Sequence, residues 1–266
     1  MNSVMPFADE VFTVRAPMGQ RKILLRTPER LAAHPSLLIT LGGPCQRMID
    51  DADYRTVSDI FLAAGHRVAS FDLPNHGERV DEHGEGLPGM AKAIESGSDV
   101  FGDIRDTGRA LIDHAVTQGW TRADEVMLLG VSRGGLSAMH IMAGDERVGA
   151  AAVLAPVTHL PALNAFAHLE GNPIIAQSNA DALVDRLADR WLLVSNGETD
   201  PVVDERACFA FYSRLVANST SRLPELYTAP GQSHGTTYVE HIAYQVAASF
   251  LLTKLAACGK MSSKRT

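Results

Sequence analysis

The run Val126 to Leu129 is apolar, and it empties into Gly130-Val131-Ser132-Arg133-Gly134, after which small residues dominate. A serine on a sharp turn between a strand and a helix projects its hydroxyl clear of the backbone only if the residues two before and two after it are small, as Gly130 and Gly134 are. The free N–H groups at the start of that helix favour negative charge developing nearby. The chemistry this permits is attack by the Ser132 hydroxyl on a carbonyl carbon. A turn that merely packs tightly would use the same glycines, so the reading depends on partners elsewhere. The spacing G-x-S-x-G recurs at Gly231-Gln232-Ser233-His234-Gly235. That match follows Pro230, and the only later histidine, His241, is too close to return from another loop, so it is read as coincidental.

A serine hydroxyl is a weak nucleophile near neutral pH and needs a base, which in turn needs a carboxylate to fix its tautomer. Both should lie on later strand ends. Trp191 to Ser195 empties into a loop that carries Asp200, with Glu198, Asp204 and Glu205 as rival acids, and Glu225 to Thr228 empties into a loop that carries His234. Parallel strands share one C-terminal edge, so both loops should open beside Ser132. Negative charge on the attacked carbonyl requires two N–H donors. The residue after the nucleophile, Arg133, supplies one. The other should follow the strand Ser36 to Leu41, where Gly43 is the first candidate and Cys45 the second, since Pro44 has no N–H.

The elements that would position these residues follow from periodicity. Glu10 to Arg15 and Arg21 to Arg26 flank a Pro- and Gly-containing turn and read as a β-hairpin. Thereafter short apolar runs alternate with segments of helical period, the pattern of βαβ units. The runs are Ser36 to Leu41, His66 to Phe71, Glu125 to Leu129, Ala150 to Leu154, Trp191 to Ser195 and Glu225 to Thr228. The helical segments are Asp53 to Ala64, Val100 to Gln118, Arg133 to Ala143, Asp204 to Ala217 and Tyr238 to Leu255. Gly84 to Gly97 lacks a clean period and reads as a loop or short lid element. Thr158 to Asp189 holds helical fragments such as Asn179 to Ala188 and is the place for a small cap. The 266 residues, 45% of them hydrophobic, are read as one α/β domain.

A formal net charge of -7 disfavours nucleic acid as a partner. Three irregularly spaced cysteines, Cys45, Cys208 and Cys258, form no disulfide framework and fit a reducing, cytoplasmic setting. No leader-like start or long apolar run suggests a membrane. Neither H-E-x-x-H, nor a phosphate-binding G-x-x-x-x-G-K-[ST], nor G-x-G-x-x-G after a strand occurs, so no metal and no cofactor are expected. A homo-oligomer is compatible with the sequence, which does not decide the oligomeric state.

With these residues in place, the chain resembles the α/β-hydrolase superfamily over nearly its whole length, and Ser132, Asp200 and His234 run in that superfamily's order of nucleophile, acid and base. The segment Phe71-Asp72-Leu73-Pro74-Asn75-His76-Gly77-Glu78-Arg79 looks like the turn after the fourth strand in the dienelactone-hydrolase and prolyl-oligopeptidase-like branch, particularly its small bacterial carboxylesterases. There, D-x-P-x-H-G-x-R shapes one wall of the site. The resemblance implies a mostly parallel eight-stranded sheet with helices on both faces, and cleavage of a small ester or an amide through an acyl-enzyme.

Two positions depart from the pattern. Leu41 stands where the family often has the histidine of an H-G pair, and Arg133 stands where a small or uncharged residue is usual. In glucuronoyl-esterase-like members an arginine at this place helps stabilise the oxyanion; the alternative here is a salt bridge to Asp72 or Glu78. Dienelactone hydrolases proper usually carry cysteine as nucleophile, so Ser132 argues against that activity. The expectation is a serine carboxylesterase acting on small esters. The alternatives are a peptidase or amidase, an acyltransferase using the same three residues, or a ligand-binding homologue without activity.

Overall fold

The computed structural model describes residues 6–230, 234 and 242–262. The chain opens with β1 (Phe7–Ala16) and β2 (Gly19–Pro28), which pair antiparallel. Gly19 closes the tight turn at φ +117°, a conformation that side chains disfavour. Six further strands follow: β3 (Leu37–Leu41), β4 (Arg67–Ser70), β5 (Val126–Val131), β6 (Val148–Leu154), β7 (Trp191–Gly197) and β8 (Glu225–Ala229). The eight form one sheet in the order β1-β2-β4-β3-β5-β6-β7-β8. β2 meets β4 antiparallel, and every pairing from β4 to β8 is parallel. Each expected strand is present within three residues of its anticipated ends.

Successive side chains of a strand face opposite ways, and in the central strands both sets are apolar. On one face, Leu37, Ile39, Val126, Leu128, Ala151 and Val153 pack under α4 (Val100–Thr117) and α5 (Arg133–Gly144). On the other, Leu38, Met127, Leu129, Ala150, Ala152 and Leu193 pack under α2 (Thr56–Ala63) and α9 (Ile242–Ser262). By length and composition alone α9 could cross a membrane, with mean hydropathy 1.3 over Ile242–Lys260. In this fold Ala243, Tyr244, Ala247 and Leu251 are buried in the second core. The part of the expected last helix before Ile242 lies outside the described residues.

One helix falls where none was expected, the short α1 at Cys45–Asp50, and the stretch Gly84 to Gly97, read as a loop or short lid element, contains α3 (Gly86–Glu95), which buries Met90, Ala91 and Ile94. Pro88 reads as a helix breaker, but it lies in the first turn, where its missing N–H has no intrahelical partner to lose. Between Thr158 and Asp189 the chain holds α6 (Pro173–Ser178), α7 (Val184–Leu187) and three short 3₁₀ turns, in keeping with helical fragments. The remaining helix, α8 (Glu205–Asn218), starts where the Asp204 carboxylate accepts the Arg206 N–H.

His140 ties α5 to its neighbours. It is fully buried, stacks on Phe101 of α4 with centroids 4.6 Å apart, lies 2.8 Å from the Ser178 carbonyl through Nε2, and faces the Arg105 guanidinium through Nδ1 at 3.3 Å. Nε2 therefore carries the proton and Nδ1 accepts. Burial pushes the His140 pKa down to about 4. The unfolded chain, with histidine near its ordinary value of about 6.5, then binds the proton first as pH falls. The stabilisation from a neutral His140 is complete above that value and is lost toward pH 4, at up to about 1.4 kcal/mol per pH unit. His76 is also held down to about 4, by burial first and the Arg133 charge second, and contributes with the same sign. His140→Gln, which keeps a donor and an acceptor, is expected to reduce the slope of unfolding free energy against pH between about 6.5 and 5. Denaturant titrations at graded pH check this, and an unchanged slope would remove His140 as a cause.

Candidate active site

Ser132 sits between β5 and α5 with φ 57° and ψ -122°, a region that a non-glycine residue rarely occupies. The surrounding backbone holds it there. Its N–H donates to the Leu154 carbonyl at 2.9 Å, and its own carbonyl accepts from Gly135 at 2.9 Å and Val157 at 3.1 Å. The glycines on either side are sterically required: a Cβ on Gly130 would strike the Gly134 carbonyl, and one on Gly134 would strike the Leu41 carbonyl. Both obstacles are backbone and cannot swing away. Gly134→Ala is accordingly expected to destabilise the fold by about 3 kcal/mol or more, read as a fall in thermal midpoint. A melt matching the wild type would mean that the turn relaxes.

The structure brings Ser132, His234 and Asp200 together although they are far apart in sequence. His234 Nε2 lies 2.8 Å from Ser132 Oγ, and His234 Nδ1 lies 2.9 Å from Asp200 Oδ2 and 3.1 Å from Oδ1. Because Nδ1 faces a carboxylate it carries the proton, which leaves Nε2 as the acceptor for the serine hydroxyl. The Asp200 side chain is fully shielded from solvent. Burial pushes its pKa up, but the bond from His234 and the N–H groups of Val202 at 2.8 Å and Val203 at 3.1 Å more than reverse this, so it is held below the usual carboxylate value. Of the rival acids, Asp204 caps α8 and Glu205 lies in that helix's first turn. Ser233, the nucleophile of the second G-x-S-x-G match, lies outside the described residues.

The turn after β4 forms a wall beside this group. Asp72 accepts the Cys45 N–H at 2.7 Å and the Glu78 N–H at 2.8 Å, and the Leu73 N–H donates to the Gly43 carbonyl at 3.2 Å. Cys45 is thereby removed as a second oxyanion donor. The Gly43 N–H has no acceptor among the described residues, and Arg133, as the first residue of α5, has an N–H with no intrahelical acceptor. The His76 ring donates through Nδ1 to the Pro74 carbonyl at 2.8 Å, which leaves Nε2 unprotonated, buried and without a partner among the described residues. The suggested salt bridge from Arg133 to Asp72 or Glu78 does not form, because Asp72 is occupied by those two N–H groups and Glu78 pairs with Lys22. Sequence reasoning missed Tyr54, which helps line the cleft over Ser132, because it fell inside the expected helix Asp53 to Ala64, whereas α2 begins only at Thr56 and leaves Tyr54 in the turn before it.

That cleft is small, about 120 Å³, and Gly43, Arg47, Tyr54, Arg133 and His234 line it with Ser132. Among its described lining residues none comes from 84–97 or 158–189, the two regions expected to shape it. A larger groove of about 520 Å³, between β2, the turn after β4 and α4, includes none of Ser132, Asp200 and His234. Among the described residues no cluster of three or more His, Cys, Asp or Glu side chains could hold a metal ion.

No curated protein sequence matches the chain significantly. Solved structures share its fold at low identity. A cold-adapted esterase from an Arctic intertidal metagenomic library aligns with a TM-score of 0.70 and 15% identity over 95% of this chain and 96% of that one. The Pyrococcus furiosus esterase Pf2001 aligns at 0.67 and 16% over 93% of each. A puromycin-hydrolyzing peptidase of Mycobacterium tuberculosis aligns at 0.71 and 15% over 98% of this chain but only 40% of its own length. Esterases and peptidases of this fold accord with the branch that the Asp72 to Arg79 turn resembles. The profile of the alpha/beta hydrolase family matches residues 50–253, most of the sequence, and the chain belongs to that family.

Proposed function

We propose that the protein is a serine hydrolase that cleaves small carboxylic esters through an acyl-enzyme. The observation that carries this is the continuous line from Ser132 Oγ to His234 Nε2 at 2.8 Å and from His234 Nδ1 to Asp200 Oδ2 at 2.9 Å. Ser132 attacks the ester carbonyl while His234 takes its proton, and Asp200 holds the ring and stabilises the imidazolium that forms. The Gly43 and Arg133 N–H groups face the oxygen that becomes negative. His234 then returns the proton to the leaving alkoxide. A water molecule, deprotonated by the same ring, releases the acid and regenerates Ser132.

Esters are favoured over peptides by the narrow cleft above Ser132. The test is hydrolysis of nitrophenyl esters of graded acyl length beside aminoacyl nitroanilides. Short acyl groups, acetate to butyrate, are expected to be cleaved best, with kcat/KM at least about 100-fold above any anilide, a gap of about 2.7 kcal/mol in transition-state stabilisation. Faster cleavage of the anilides would replace esterase by amidase.

A further inference from the structure

The cleft above Ser132 contains a cation, the Arg133 guanidinium, that pairs with no carboxylate among the described residues. Arg133 directs its guanidinium back over Gly43, with Nη2 2.5 Å from where a Cβ on that residue would lie, so glycine at 43 makes room for it. Among the described residues its buried Nε has no hydrogen-bond partner and no carboxylate pairs with it. Burial pushes its pKa down, with Tyr54 opposing and Arg47 adding to the effect. Arg47 stands on the α1 side of the same cleft, its guanidinium 5.0 Å from the centre of the Tyr54 ring, with Asp51 Oδ2 3.3 Å from its Nε. No Asp or Glu is among the described lining residues. The neighbouring His76 is held neutral, so it adds no charge.

An unpaired, partly desolvated guanidinium is costly, and that cost is recovered when an anion enters. The oxyanion of the reaction already has two backbone N–H donors, whereas a guanidinium offers five donors suited to a planar carboxylate. We propose that the substrate carries a carboxylate a few atoms from its scissile ester, and that Arg133 binds it with Arg47 and the Tyr54 hydroxyl beside it. This deepens the esterase reading and rests on it.

The test compares monomethyl glutarate with methyl valerate, which differ by a carboxylate in place of a methyl group. Wild-type protein is expected to favour the charged ester at least tenfold in kcat/KM. Arg133→Gln should bring the ratio to near unity, and Arg133→Lys should restore part of it. If Arg133→Gln slows both esters equally and preserves the ratio, Arg133 serves the oxyanion alone and the proposal is overturned. A wild-type ratio of one or below also overturns it. Calorimetry with Ser132→Ala protein separates recognition from hydrolysis: the charged ester should bind at least tenfold more tightly than the neutral one, and less so as chloride rises. Tighter binding of the charged ester by a protein whose wild type cleaves neither would uphold the anion site and defeat the esterase reading. Equal cleavage and equal binding of both would do the reverse.

Discussion

Ser132→Ala is expected to lower kcat for a short-chain ester by about 10⁴-fold or more and to leave the fold unchanged. The loss is large because the hydroxyl, 2.8 Å from His234 Nε2, forms the covalent intermediate. Alanine keeps the Cβ, so it inherits the strained backbone at φ 57° without adding to it. Its thermal midpoint should therefore match the wild type's. Ser132→Gly gives the contrast. Glycine occupies positive φ without penalty, so this variant should be equally inactive and about 1 kcal/mol more stable. Stopped assays on both variants with circular-dichroism melts provide the measurement. Activity within about tenfold of wild type in Ser132→Ala, a change of only about 1.4 kcal/mol, would remove Ser132 from the mechanism.

Asp200→Asn is expected to reduce kcat by about 10³- to 10⁴-fold through a different cause. The carboxylate accepts from His234 Nδ1 and from the N–H groups of Val202 and Val203. An asparagine in that position satisfies the backbone donors with its carbonyl oxygen and turns its amide toward the ring. Nδ1 must then accept, the ring proton moves to Nε2, and the serine loses its base. KM should change far less than kcat, because Asp200 is not among the residues that line the cleft. The comparison is Asp204→Ala. It removes the α8 cap and should cost about 1 kcal/mol of stability while sparing turnover. Equal losses of activity in the two variants would mean that the acid had been misassigned.

Ser132 was legible in the sequence because the requirement that fixes it is steric and local. The Gly130 and Gly134 positions are those at which a Cβ meets backbone, so the spacing itself encodes the turn. Asp200 and His234 were legible through topology, since each follows a short strand, β7 inside the sheet and β8 at its edge, and parallel strands deliver their loops to one edge. α3 was hidden because Gly86, Pro88 and Gly89 resemble breakers, whereas the helix tolerates them in its first turn and buries Met90 and Ile94 behind them. The choice between Gly43 and Cys45 depended on where the Asp72 carboxylate goes, a contact across 27 residues that no local pattern specifies. The unpaired state of Arg133 was out of reach for the same reason. Among the described residues Asp72 accepts two backbone N–H groups and Glu78 pairs with Lys22, contacts that no local pattern specifies.

The central claim, that Ser132 is the nucleophile, is tested most directly by reaction with a fluorophosphonate followed by tryptic mass mapping. Cleavage after Arg122 and Arg133 gives the peptide Ala123–Arg133, in which Ser132 is the only serine, whereas Ser233 falls in Leu223–Lys254. One phosphonyl group on Ala123–Arg133, absent after Ser132→Ala and suppressed by a short-chain ester, is the expected result. Labelling of Leu223–Lys254 instead, or a folded wild type that hydrolyses esters with Ala123–Arg133 unmodified, would contradict it.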